Sequence, residues 1–357
     1  METEFVLASW ITSSIDNECD LIVRSPGAVF YLQWIPSELE RAPLLLADFL
    51  KSLDILKLDY GQNTDDDVDE DMIQAEVKKL QRPFNEILLS LAPNPPMPPF
   101  TLDHWINPQW FVLVATADES DKIRPRREYE NPYMPTGEPR QSISLKGLDL
   151  EKWVPNWYSS HEVQIMPSTK GKNPLLFTPT KVQVRGNIIC HFKGIKCNSP
   201  TAIRELKTHR QILDALAKGR IPVDFRVCRL HGVVYDKSDN NERIVGLLLL
   251  HIKTKISDAP STLADIAFLT KQETCQRWSK ELAKLVHTLH NAGIQWGDAK
   301  PDNVLVDEND DLWLIDFGGG YTPTWVSRQN CGKLEGDIEG LKNSQAWLSN
   351  IIDKSCH

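Results

Sequence analysis

The spacing of apolar residues changes several times along the chain, and each spacing predicts a different element. In "APLLLADFLKSLDIL" (residues 42–56) and "QAEVKKLQRPFNEILLSLA" (74–92) apolar side chains recur at intervals of three and four. That periodicity belongs to helices with one buried face. Pro83 should interrupt the second, because proline inside a helix removes a backbone donor. "AVFYLQWI" is a further apolar segment, and "WFVLVATA" (110–117) reads as a strand. From about Val154 the texture becomes short strands, "EVQIM" and "KVQVRGNIICHFKGI", the latter turning at Gly186-Asn187. A helix follows in "SPTAIRELKTHRQILDAL", with Ser199 as N-cap and Pro200 at the first helical position. "FRVCRLHGVVYD" and "RIVGLLLLHI" restore the strand pattern around a polar turn at "KSDNNE". Trp278, Leu282, Leu285, Val286 and Leu289 then share one face of a helix that can end at Gly293.

Between these elements lie three segments of other character. Six of the seven residues from Asp65 to Asp71 are acidic, so residues 64–72 read as a solvated loop. "PNPPMPPF" holds five prolines between Pro93 and Pro99 and must be extended, a stiff connector. The polar stretch from Asp118 to about Arg140 reads as a long loop or linker, and the main domain boundary is placed there. No internal repeat is found.

Composition narrows the function classes. Lys+Arg 40 against Asp+Glu 49 gives a net charge of -9, which speaks against generic binding to nucleic acid or an anionic membrane. The seven cysteines are scattered without a Cys-x-x-Cys pair, so they read as reduced thiols rather than a zinc site. The first residues lack a signal-peptide pattern and no apolar run is long enough to span a bilayer. The expectation is a cytoplasmic protein, with a nuclear location left open, and neither nucleic acid nor membrane as a partner.

The densest chemistry lies in "WGDAKPDNVLVDENDDLWLIDFGGG" (296–320). Asp298, Lys300 and Asn303 precede a predicted strand hairpin, which ends at Asp316-Phe317-Gly318. This register resembles the protein-kinase-like superfamily over roughly residues 155–345, and in its details it looks most like atypical kinase-like proteins of filamentous fungi. The resemblance implies an α+β, bilobal protein-kinase-like fold with a minimal, truncated helical C-terminal lobe and an extra N-terminal region. Residues 155–357 would be the kinase-like domain, with lobes of about 155–253 and 254–357. Residues 1–145 would be a region of unknown role packed on it.

By the same resemblance Asp298 orients a hydroxyl and accepts its proton, and Lys300 neutralises charge on the travelling phosphate. Asn303 and Asp316 hold magnesium, since hard oxygen donors suit that ion. Lys193 binds the nucleotide's phosphates with Glu205 as its helix partner; Lys196 is the other candidate lysine. Leu250 and Ile252 fall where the strand after "RIVGL" should meet adenine. The implied cofactors are ATP and Mg2+, and the implied partner is an unidentified hydroxyl-bearing acceptor, a small molecule or a protein Ser/Thr.

Several positions depart from the family. Trp296 replaces its histidine and can fill that space as core. Gly297 replaces an arginine that in many members pairs with a phosphorylated activation loop, and a Gly-Asp pair is similar to the aminoglycoside and choline kinase relatives. His191 shares a strand face with Lys193, where the family has a small residue against adenine. "PSTKGKNPLLFTPT" (167–180) stands where a glycine-rich loop belongs, with only Gly171, and with Lys170 or Lys172 as candidates to meet phosphate. No Ala-Pro-Glu follows, and Asp337 matches the aspartate that clamps the catalytic loop. These departures leave two alternatives open beside an active phosphotransferase: a pseudokinase acting as a binding scaffold, and a kinase fold adapted to another nucleotide-dependent transfer.

Overall fold

The computed structural model describes residues 4–13, 15–58, 70–118, 120–129, 143–144, 149–167, 171–195, 200–236, 243–256 and 261–354, with backbone alone described for 143–144 and 352–354. Most of the acidic loop, together with Lys170, Lys196, Ser199 and "KSDNNE", lies outside them. The chain forms two compact units, one of Met1–Arg140 with Gln164–Pro179, the other of Gln141–Val163 with Thr180–His357.

The first unit is built on a five-stranded sheet in the order β1-β2-β3-β4-β5. Its strands are β1 (Val6–Thr12), β2 (Cys19–Ser25), β3 (Ala28–Trp34), β4 (Gln109–Ala117) and β5 (Ile123–Glu128). Only β3 and β4 run parallel, and parallel neighbours need a crossover. Here it carries α1 (Pro43–Leu58), α2 (Glu70–Gln81), α3 (Asn85–Leu91) and α4 (Leu102–Ile106). The apolar stripes expected of the first two helical stretches supply Phe49, Leu53, Leu56, Val77, Leu80 and Leu88, which share a buried core with Phe30, Leu32 and Trp34. Trp34 stacks on Phe49 with ring centroids 5.3 Å apart.

Two sequence expectations are corrected in this unit. Residues 123–128 ("IRPRRE") are not linker but an edge strand paired antiparallel with β4. Main-chain pairing overrides a polar sequence there, and an edge tolerates Pro125 because one side of the strand needs no donor. The strand expected in "EVQIM" forms as β8 (Gln164–Ile165) in a seven-stranded sheet, but residues 164–179, expected in the kinase-like domain, group with the first unit: Gln164 bridges Thr101, and the Ile165 amide donates to the Phe100 carbonyl at 2.8 Å. The buried Arg24 guanidinium lies over the Trp105 ring and donates to the carbonyls of Trp105 (2.8 Å) and Leu175 (3.3 Å), which ties residues 164–179 into this unit. Lys172 sits over the Phe177 ring.

The second unit has a sheet-rich first half and a helical second half. Its sheet runs β7 (Trp157–Ser159), β11 (Leu230–Asp236), β12 (Arg243–Leu250), β10 (Ile188–Gly194) and β9 (Lys181–Val184), with β6 (Ile143–Ser144) also on β12. Val184 pairs with Ile188 across a three-residue loop, in which Gly186 and Asn187 both take positive φ, residues suited to that conformation. The helix α5 (Pro200–Ala217) is inserted between β10 and β11. The second half holds α6 (Leu263–Ile266), α7 (Gln272–Asn291), the hairpin β13 (Val304–Val306) and β14 (Leu312–Leu314), and α8 (Leu334–Lys354). Trp278, Leu282, Val286 and Leu289 of α7 share one core with Val304, Leu312 and Leu348. This is the α+β, bilobal kinase-like arrangement. Among the described residues no helix is long and apolar enough to cross a membrane.

One close approach decides where α8 lies. A Cβ at Gly340 would overlap the Ala299 carbonyl oxygen, a backbone atom that cannot swing away. Gly340→Ala is therefore expected to lower unfolding stability by about 1–3 kcal/mol, as overpacking does in well-filled cores. Urea denaturation measures this; an unchanged midpoint would refute the tight seat of α8 on the loop.

Candidate active site

Three elements converge on one ammonium group. Lys193, near the end of β10, places Nζ 2.8 Å from Glu205 Oε2 on α5 and 3.0 Å from Asp316 Oδ1 beyond β14. The alternation of β10 makes this possible: Cys190 and Phe192 face the core, so His191 and Lys193 share the other face. Burial alone would push the Lys193 pKa down, but the two carboxylates outweigh it and hold it above the ordinary lysine value. Burial raises the Glu205 carboxyl, against the pull of Lys193. Asp316 takes a positive φ of 57°, a conformation Asp tolerates better than most residues, and its Oδ1 also accepts from the Gly318 amide at 3.2 Å.

The catalytic-loop candidates gather around Asp298, which is 8% exposed. Its Oδ2 accepts from Asn303 Nδ2 at 2.9 Å and lies 3.1 Å from Lys300 Nζ. Asn303 Nδ2 also donates to the Asp298 carbonyl at 2.8 Å, and the Asn303 carbonyl accepts from the Ile315 amide at 3.0 Å. Lys300 donates to Thr322 Oγ1 at 2.9 Å. The other oxygen, Oδ1, is buried and has no hydrogen-bond partner among the described residues. A buried carboxylate oxygen left without a donor is costly unless a ligand supplies one. A Cβ at Gly320 would lie 2.8 Å from Asp298 Oδ2, so glycine is needed at that point of the run after Phe317.

Asp337 holds this loop from below. It is 1% exposed; Oδ1 accepts from the Gly297 amide at 2.6 Å, Oδ2 from the Trp296 amide at 2.8 Å, and His290 Nε2 lies 3.0 Å from Oδ2. Trp296 is core, 1% exposed, with its indole donating to the Ile315 carbonyl.

Magnesium and a nucleotide can be tested against the donor set. Among the described residues no group of three or more His, Cys, Asp or Glu could hold a metal. An ion here would rest on the oxygens of Asp316 and Asn303, completed by phosphate oxygens and water, the usual way Mg2+ is held. Leu250 closes β12 with its amide donating to the Arg229 carbonyl, and Ile252 is partly buried against the core beyond it. His191 is exposed.

Four residues were not legible as site residues in the sequence. Thr322 reaches Lys300 only through the fold of the segment after Gly320. His290 faces Asp337 only because α7 and α8 are neighbours. Arg204 lies over Gly297, Gly319 and Gly332. His209, one turn beyond Glu205, could have been inferred from its spacing; it is 1% exposed, lacks ring hydrogen bonds among the described residues, and meets the Phe317 ring edge-on at 5.8 Å.

With this geometry in place, similarity to known proteins becomes informative. Residues 196–345 match the family model described as "Lipopolysaccharide kinase (Kdo/WaaP) family", short of half the chain. The chain is 44% identical over 46 residues to the serine/threonine-protein kinase ppk34 of Schizosaccharomyces pombe, 13% of each chain. It is 28% identical over 105 residues to the calcium/calmodulin-dependent protein kinase kinase cmkC of Emericella nidulans, 25% of this chain and 20% of that one. The matches thus span no more than 20% of these curated relatives. A crystal structure of the BubR1 kinase domain overlaps with a TM-score of 0.34 at 17% identity, covering 47% of this chain and 56% of that one. The second unit has the element order of a bilobal kinase-like fold, and its residues are similar to kinase families.

Burial pushes the His209 imidazole down to about 3, with Lys193 acting in the same direction and Asp316 against it. The unfolded chain binds that proton near 6.5, so between these values it holds more protons than the folded chain. This group's contribution to stability is complete above the unfolded value and is lost as pH falls toward the folded one. His209→Leu should therefore lose less stability than wild type between about pH 6.5 and 4, by urea midpoints. An equal loss in both would mean that His209 is not a buried neutral imidazole.

Proposed function

We propose that the chain is an ATP- and Mg2+-dependent phosphotransferase that moves a phosphoryl group to a hydroxyl. The observation that carries this reading is Asp298 Oδ1: buried, without a donor among the described residues, on a carboxylate whose other oxygen is fixed by Asn303 and Lys300. An acceptor hydroxyl supplies the missing donor, and the same oxygen can take its proton as the new P–O bond forms. Phosphoryl transfer asks mainly for position and charge compensation. Lys193, oriented by Glu205, meets phosphate charge, and Lys300 offsets charge beside Asp298. Asp316 and Asn303 would hold the ion. Magnesium, when bound, neutralises phosphate charge as the bond breaks.

For the acceptor we favour a small hydroxyl-bearing molecule over a protein side chain. Asp316 and Asp337 are only 21 positions apart, and the segment between them holds one short helical turn, Arg328–Asn330, before α8, with Thr322 tied to Lys300. Since α8 already begins at Leu334, little chain is left to build a platform for a peptide. The matched family description names a saccharide-bearing acceptor, whereas the curated relatives are named as protein kinases. A pseudokinase acting as a binding scaffold is the second reading, favoured by His191 on the face of Lys193.

Thermal melting with and without Mg·ATP, followed by transfer from labelled ATP to a panel of metabolites and generic protein substrates, tests these readings together. A ligand bound only to the folded state raises its melting point. Wild type should be stabilised in a magnesium-dependent way and Asp316→Ala should not. Asp298→Asn should keep that stabilisation and lose transfer by about 10²–10⁴-fold, the usual worth of a general base. Absence of Mg·ATP stabilisation in wild type, or stabilisation without any Asp298-dependent transfer, sinks the phosphotransferase and leaves the scaffold.

A further inference from the structure

We propose that Arg204 is a positioning residue: its guanidinium, seated against Gly297, Gly319 and Gly332, locks α5 onto the catalytic loop so that Glu205 can hold Lys193. A Cβ at Gly297 would overlap Arg204 Nη2, and one at Gly319 or Gly332 would fall 2.6 Å from Nη1. The three glycines come from separate stretches: the catalytic loop, the run after Phe317, and the turn before α8. All three have positive φ, 94°, 75° and 68°. The first two stretches are joined by the Gly320 amide donating to the Gly297 carbonyl at 3.4 Å. Thr201, one turn earlier on α5, approaches Gly318 in the same way, its carbonyl 3.4 Å from a Cβ placed there.

The charge pattern around Arg204 explains why contact rather than ion pairing holds it. No carboxylate lies within ion-pair distance of Arg204 among the described residues, and its one hydrogen bond, Nη2 to the Gly332 carbonyl, is long at 3.5 Å. What fixes it is a planar group filling a space that side chains on three backbone segments would close. Arg204 and Glu205 are consecutive. One reaches the glycine seat and the other Lys193, so α5 is fixed at two points without any added charge on the segment after Asp316. The position that sequence alone left as a lost arginine, Gly297, is thereby covered by an arginine from another element.

The inference rests on the phosphotransfer reading for its purpose but not for its test. Amide hydrogen exchange is measured on the full chain for wild type, Arg204→Ala, Gly297→Ala and the double variant. Arg204→Ala is expected to speed exchange of the α5 amides and of residues 317–332 by about tenfold while α7 and the β13–β14 hairpin keep wild-type protection. A general loss of packing would instead speed all of them. Gly297→Ala should do the same in wild type by displacing the guanidinium, yet add less than about twofold in the Arg204→Ala background, since backbone strain at positive φ is common to both backgrounds and cancels in the cycle. If Arg204→Ala does not fold, Arg204→Lys, which keeps the charge but not the planar fork, takes its place and is expected to show the same local loss. Mg·ATP affinity should weaken in parallel. Unchanged α5 exchange, or Gly297→Ala acting equally in both backgrounds, overturns the proposal. Local loosening in a protein that never binds nucleotide would leave Arg204 as stated and defeat the phosphotransfer reading alone.

Discussion

The second unit is organised around a shortage of positive charge. One ammonium, Lys193, stands between two carboxylates, Glu205 and Asp316, and each of the three comes from a different element. Taking Glu205 out of water is unfavourable, and only a close cation offsets it. Sheet, helix and the strand exit at Asp316 must therefore meet at a single point. The trio still carries one net negative charge. A net negative charge of this kind favours a further cation beside it.

The loop at 296–303 is fixed by a different device. Asp337 places both carboxylate oxygens on consecutive backbone amides, those of Trp296 and Gly297, and such charge-assisted bonds are stronger than neutral ones. The glycine at 340, one turn further along α8, lets the helix lie against Ala299. Loop and helix are thus locked by backbone contacts, leaving the side chains of Asp298, Lys300 and Asn303 free to face one another. Strain at Asp316 and the left-handed glycines beside it are concentrated in this same region, where the surrounding packing can maintain them.

Much of the local structure could be read from pattern. The helical stripes at 42–56 and 74–92, the hairpin at Gly186-Asn187 and the face of α7 follow from periodicity and turn chemistry, which depend on neighbours in sequence. The register from Asp298 to Asp316 was legible for the same reason, since a loop, a hairpin and a second loop lie consecutively along the chain. The strand at 123–128 was not, because nothing in "IRPRRE" alternates apolar and polar; β4 supplies the pairing. Residues 164–179 were misassigned because their partners, Thr101, Phe100 and Arg24, lie far away in sequence.

The sequence by itself determined which residue types are present for the chemistry and in what order, because hydrogen-bond donors, charges and turn formers act through their own local backbone. Only the tertiary structure decided which of them meet. It brought Lys193 to Asp316, Asp337 beneath Gly297 and Arg204 over three glycines, and it left Asp298 Oδ1 without a donor. Each of these is a matter of ångströms between elements far apart in the chain, fixed by how buried faces pack, and no pattern of neighbouring residues encodes such distances.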